Sequence, residues 1–286
     1  MQVLLTGSER GQLFWELQRT KPEAVTFCIP KSRLDITDFA AVERFVSDSK
    51  PDIIINAAAY TAVDAAETDK DSAFATNDTA VGHLATVAKS SGAYLIHVST
   101  DFIFGDTHAS PIKPDAAANP ISVYGMSKLA GERRLFSILP DRGLLFRTAW
   151  VYSTHGNNFV KTMLRLMKER NCVGVIADQI GAPTWAHSLA KAIWRGAQIQ
   201  ATGVMHWTDA GTASWYDFAQ AIMEEGMALG LLDRVATVRP LRTDQYPTPA
   251  ARPSYSVLEL TSSWEALDLQ AVHWRVELRN MMRELT

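Results

Sequence analysis

Five short apolar runs, most of them followed by a turn and a helix-like pattern, constrain the fold of this chain more than any other feature. They are residues 2–6, 24–29, 52–56, 94–99 and 143–147. Between them, apolar side chains recur at helical spacing, at Phe39, Val42, Phe45 and Val46 and again at Phe74, Val81, Leu84 and Val87. Strands that alternate with helices pair in parallel, because each parallel pair needs a long crossover. The pattern predicts an α/β fold, a Rossmann-type doubly wound parallel sheet, with ligands gathering at the carboxyl ends of the strands. A helix is expected over 71–90, with Asn77 buried and hydrogen-bonded to a neighbouring strand.

Gly7-Ser8-Glu9-Arg10-Gly11-Gln12-Leu13 links the first strand to the first helix. A tight glycine turn at a helix N-terminus lets backbone N–H groups and the helix dipole meet a pyrophosphate. Gly7, Arg10, Gly11, Gln12 and Leu13 are therefore candidate cofactor residues. The turn is irregular: three residues separate Gly7 from Gly11, and Phe14 stands where a third glycine would bring helix and strand together. The helix is expected to sit further from the sheet. After the second strand comes Pro30-Lys31-Ser32-Arg33, with no acid until Asp35. An acid there would suit an unphosphorylated ribose. Lys31 and Arg33 suit a 2′-phosphate, so NADPH is expected, with NADH the other nicotinamide candidate. Ala57, Ala58 and Ala59 after the third strand would let a flat ligand lie against the backbone.

The chemistry points to 99–128. The fourth strand ends in Ser99-Thr100-Asp101, and Tyr124-Gly125-Met126-Ser127-Lys128 opens a helix. Residues four apart share a helix face. A free tyrosine, with a pKa of roughly 10, is a poor acid–base catalyst at neutral pH, and a nearby cation favours its phenolate. Tyr124, Lys128 and Thr100 together could move a proton to or from an oxygen on a carbonyl carbon, while the hydride must come from a cofactor.

The chain has 286 residues and a net charge of −3, so no basic surface argues for nucleic acid or an anionic membrane. Two distant cysteines, no secretory pattern and an N-terminus that begins directly in a strand lead to a cytoplasmic expectation. No apolar run is long enough for a membrane span. Residues 1–152 read as the cofactor-binding domain, its sheet completed by segments near 171–210. Residues 153–286 read mainly as a smaller substrate-binding domain. Within it Arg252 is the cation expected to reach phosphate, and Ser214 the cap of a helix. His97 and His206 sit in apolar strands and read as core residues.

The motifs, in order from residue 3 to about residue 285, resemble the extended short-chain dehydrogenase/reductase superfamily and, within it, the dTDP-4-dehydrorhamnose reductase family. Tyr124-x-x-x-Lys128 marks the superfamily. Asp178-Gln179-Ile180-Gly181-Ala182-Pro183-Thr184 and Tyr246-Pro247-Thr248-Pro249-Ala250-Ala251-Arg252-Pro253 are far more specific to the family. The resemblance implies an NADPH-dependent oxidoreductase of dTDP-rhamnose biosynthesis, serving lipopolysaccharide or cell-wall polysaccharide. It would reduce the C4 ketone of dTDP-4-dehydro-6-deoxy-L-mannose to dTDP-L-rhamnose. The alternatives are a related nucleotide-sugar 4-ketoreductase of other stereochemistry and a non-catalytic NADP-binding regulatory subunit. By position, Tyr124 would donate the proton, Lys128 would depress its pKa and hold the nicotinamide ribose, and Thr100 would bind the carbonyl oxygen. Gly11, Gln12 and Leu13 would meet the pyrophosphate, Asp35 and Ile36 the adenine, and Ala59, Tyr60 and Thr61 the middle of the cofactor. Val63, Asp101 and Trp150 would contact the sugar nucleotide. Phe102 replaces a tyrosine often found there, which removes a hydroxyl. The resemblance also raises a Mg²⁺-bridged dimer. Glu16 matches one of its acidic positions, but His187 stands where another acid is expected. Glu16 is therefore read as a solvated helix residue, and the protein as a monomer or weak homodimer.

Overall fold

The computed structural model describes residues 1–28 and 34–286. The first half contains β1 (Gln2–Thr6), α1 (Gln12–Arg19), β2 (Thr26–Cys28), α2 (Phe39–Ser49), β3 (Ile53–Asn56), α3 (Val63–Ala66), α4 (Lys70–Phe74), a π-helical turn (Ala75–Thr79), α5 (Ala80–Ser91), β4 (Tyr94–Thr100), α6 (Val123–Ile138) and β5 (Gly143–Thr148). The second half contains β6 (Val151–Tyr152), α7 (Phe159–Glu169), β7 (Cys172–Ile176), β8 (Ile180–Gly181), β9 (Thr184–Trp185), α8 (Ala186–Ile199), β10 (Gly203–His206), β11 (Ala213–Ser214), α9 (Trp215–Ala228), β12 (Thr237–Leu241), α10 (Thr261–Leu267) and α11 (Trp274–Arg283).

Six parallel strands form the main sheet in the order β10-β5-β4-β3-β1-β2. The chain leaves β1 for β2 on one side and then crosses to β3 on the other. That reversal opens a crevice at the carboxyl ends of β1 and β3. Alternate residues of each strand face opposite sides. Val3, Leu5, Ile53, Ile55, Leu144 and Phe146 pack with Leu17 of α1 and Leu189 and Ile193 of α8. Leu4, Ile54, Leu95 and Leu145 pack with Val42 of α2, Leu84 of α5 and Leu135 of α6. Both faces are covered, which explains the unbroken apolar runs.

Of the segments near 171–210, Gly203–His206 joins this sheet, whereas Cys172–Ile176 pairs with β12. That second pair lies in a separate core with Val160 and Met163 of α7, Phe218 and Ile222 of α9, and Leu278 and Met281 of α11. Capping follows side-chain chemistry: Asp38 accepts from Ala41 N–H, Ser122 from Gly125 N–H, and Ser214 and Asp217 cap each other reciprocally. The helix expected over 71–90 is interrupted by the π-helical turn. Asn77 is buried there and bonds the Tyr60 backbone and the Ser127 hydroxyl rather than a strand.

Candidate active site

A cleft of about 950 Å³ opens along the carboxyl ends of the main strands. Its walls come from the Gly7–Phe14 turn, the segment after β2, the alanines after β3, the end of β4, the start of α6 and the segment after β5. Gly7, Arg10, Gly11, Gln12, Leu13, Asp35, Ile36, Ala59, Thr61, Val63, Thr100, Asp101, Tyr124, Lys128 and Trp150 all line it. Lys31 and Arg33 lie outside the described residues. Tyr60 and Arg252 are not among the lining residues. The Tyr60 hydroxyl donates to Asp69, and the Arg252 guanidinium is held by the carboxylate of Asp64 at 2.8 Å, by Thr248 and by Ala250 O. Arg252 thereby fastens its loop to α3.

The glycine turn packs directly against the Phe14 side chain. Gly7 has φ +138°, and a Cβ on it would lie 3.1 Å from the Phe14 ring. The small residue on the strand side makes room for the large one on the helix side. The turn is also braced from the second half of the chain. Gln12 donates to Val151 O, Asn158 donates to Gln12 Oε1 at 3.0 Å, and the His155 ring bonds Glu9 O. Asp35 accepts from both the N–H and the hydroxyl of Thr37.

Ser122 caps α6 so that Tyr124 faces the end of β4. Gly125 allows the close approach, because a Cβ there would collide with Phe102 O. The Phe102 ring meets Tyr124 edge-on at 5.6 Å. Thr100 Oγ1 donates to Asp101 Oδ1 at 3.0 Å. Burial pushes the Tyr124 phenol up to about 12, against the pull of its hydrogen bond with Thr100. The expected depression by Lys128 does not prevail. Lys128 is fully buried, donates to Val98 O at 2.6 Å, and is itself pushed by burial down to about 8. Burial likewise raises the Asp101 carboxyl to about 6, against the Ser256 and Thr100 hydroxyls.

Three buried polar atoms on the cleft floor, Ser99 Oγ, Asp101 Oδ2 and Thr148 Oγ1, have no partner among the described residues. Such atoms are costly unless a ligand satisfies them. With the glycine turn at the other end, they fit an elongated polar molecule such as a dinucleotide. Ser99, Thr148, Thr76 and Asn157 escaped the sequence reading as site residues. Only the strand-end position of Ser99 and Thr148 could have flagged them.

Trp150 adopts φ +46° and stacks on Trp215 with ring centroids 3.6 Å apart. A left-handed non-glycine residue costs about 1–3 kcal/mol and is held only by its surroundings. Here the stack holds it at the cleft wall.

The reading of Glu16 as solvated is overturned. It is fully buried, accepting from Ser153 at 2.8 Å, 3.2 Å from His187 Nδ1 and 2.9 Å from the Arg19 guanidinium. Arg19 also grips Glu284 at 2.8 Å and lies 3.1 Å from His187 Nδ1. Burial alone would raise the Glu16 carboxyl, but its hydrogen bonds and Arg19 hold it below its ordinary value. A guanidinium thus stands among the side chains that a divalent cation would need. Among the described residues no group of three His, Cys, Asp or Glu side chains could hold a metal ion. This set does not fit Mg²⁺. Among the described residues, no helix is long and apolar enough to cross a membrane.

The family model described as the RmlD substrate binding domain matches residues 1–286. A dTDP-4-dehydrorhamnose reductase of Burkholderia thailandensis is 41% identical over 299 residues, covering 100% of this chain and 99% of that protein. The crystal structure of a dTDP-4-dehydrorhamnose reductase from Clostridium acetobutylicum superposes with a TM-score of 0.92 at 37% identity, covering 100% of this chain and 99% of that one. The Bacillus anthracis dTDP-4-dehydrorhamnose reductase in complex with NADP gives 0.91 at 33% identity, covering 99% of both chains.

Proposed function

The chain belongs to the RmlD family of dTDP-4-dehydrorhamnose reductases, and on that premise we propose the following roles for the residues of its cleft. The protein is an oxidoreductase. It reduces the C4 ketone of dTDP-4-dehydro-6-deoxy-L-mannose to dTDP-L-rhamnose with a nicotinamide cofactor. The observation that carries the assignment of roles is the convergence of Thr100, Tyr124 and Lys128 on one cleft floor beside unpartnered Ser99 and Thr148 hydroxyls.

The turn from Gly7 to Leu13, Asp35, Ile36, Ala59 and Thr61 hold the dinucleotide, and when bound it supplies the hydride. Tyr124 gives its proton to the C4 oxygen. Thr100, beside Tyr124 on the cleft floor, orients that oxygen. Buried Lys128 lends positive charge beside the phenolate that forms. Asp101, Val63 and the Trp150 indole contact the sugar nucleotide, whose nucleotide end reaches toward the smaller module beyond residue 152. NADPH is preferred to NADH, through Lys31 and Arg33. The protein works in the cytoplasm, as a monomer or weak homodimer, and without Mg²⁺.

The test is NADPH oxidation with the 4-keto sugar nucleotide, followed by identification of the product. Formation of dTDP-L-rhamnose supports the reading. Another sugar would move the substrate, and cofactor binding without turnover would favour a regulatory subunit.

A further inference from the structure

The wall behind Lys128 contains a buried polar chain that the roles above leave unused. Thr6 Oγ1 donates to Asn56 Oδ1 at 2.6 Å, and Ala58 N–H donates to the same oxygen at 3.1 Å. A backbone N–H can only donate, so this end of the Asn56 amide is its oxygen. Its nitrogen lies 3.0 Å from His97 Nδ1 and must donate there. Nδ1 therefore accepts. Burial, with Lys128 second, holds His97 well below its ordinary pKa, so the ring is neutral. A neutral ring that accepts at Nδ1 carries its proton on Nε2. Nε2 lies 3.4 Å from Lys128 Nζ.

We propose that His97 is a positioning residue for Lys128. Its Nε2–H, fixed outward by Asn56, faces the amine nitrogen and favours the uncharged amine over the ammonium. A neutral amine can accept from Nε2–H through its lone pair while donating to Val98 O. An ammonium would set N–H against N–H. Of the other charged groups around α6, Glu132 on the same helix favours the ammonium of Lys128 and so opposes His97. Glu132 holds Arg147 of β5 at 2.8 Å, Asp78 of the π-helical turn holds Arg134, and Glu67 after α3 accepts from Val123 N–H. Asp101 bonds Thr100. Tyr124 is on the same face of α6.

This inference rests on Lys128 serving the reaction, but its first test needs no turnover. Nitrogen NMR of the imidazole should show His97 neutral and protonated at Nε2 alone, and carbon NMR of the lysine side chain should show Lys128 titrating below the ordinary lysine range. Protonation at Nδ1, or an imidazolium, overturns the proposal. His97→Gln can turn an amide oxygen toward the ammonium. In that variant the Lys128 titration and the basic limb of kcat/KM should both move to higher pH, by about one unit. A folded variant with an unmoved Lys128 titration also overturns it. Absence of turnover in the wild type would instead overturn the functional reading and leave the NMR result to decide this one.

Discussion

At Tyr124 two effects oppose each other: burial holds the phenol neutral, and the hydrogen bond with Thr100 favours its ionised form. A phenol held at about 12 keeps its proton until the substrate oxygen develops charge. Tyr124→Phe should lower kcat about 10²–10⁴-fold while NADPH still binds, as measured by turnover beside a binding titration. Asp101 gives a second expectation. Its carboxyl titrates at about 6 in the folded protein and at 3.8 when unperturbed. The folded state therefore binds a proton that the unfolded chain has released. The stability this gives is fully present below about pH 4 and is lost as pH rises through about 6. Asp101→Asn should be more stable than the wild type above pH 6, by up to about 3 kcal/mol, and should lose that advantage toward pH 4. Urea melts at the two pH values measure this. Neither shift was legible from spacing. The Tyr124–Lys128 pair could be found at i and i+4, but the water lost around each group depends on β4, α6 and the walls they form together.

Among the elements, the seam of α6 against the end of β4 sets the geometry of the site. Gly125→Ala would force its methyl group against Phe102 O and push the helix outward. The expected cost is about 1–3 kcal/mol, with a larger fall in kcat than in stability would suggest, because Tyr124 moves away from Thr100. Turnover and urea midpoint measured on the same preparation distinguish these effects. The strands and the cap at Ser214 were readable because they depend on local apolar pattern and local hydrogen bonding. The break at Ala75–Thr79 was not, since the residues around Asn77 keep an apolar face at helical spacing. The π-helical turn is seen only where Asn77 reaches both the Tyr60 backbone and Ser127 on α6. That the Phe14 ring packs against Gly7 was likewise not legible in the turn's spacing.

At the scale of the molecule, Arg19 links α1 to the chain's end through Glu284 and to α8 through its contact with His187. Arg19→Met should leave the buried Glu16 carboxylate without its guanidinium. The loss expected is about 3 kcal/mol, largest above about pH 4.5, where an unfolded glutamate is charged, and read from urea melts. In the wild type, sedimentation and thermal midpoint should be unchanged by Mg²⁺ or by a chelator, since the guanidinium already neutralises the site. A magnesium-dependent dimer would contradict this. The sequence by itself determined the alternation of strand and helix, the glycine turn, the Thr100, Tyr124 and Lys128 trio and the family likeness. All of these are written in local pattern and motif order. Only the tertiary structure decided that Glu16 is buried around Arg19, that Arg252 belongs to Asp64, that Trp150 leans on Trp215 and that His97 faces Lys128. In each case the partner is distant in sequence, and the balance between desolvation and pairing exists only once the chain has closed around both groups.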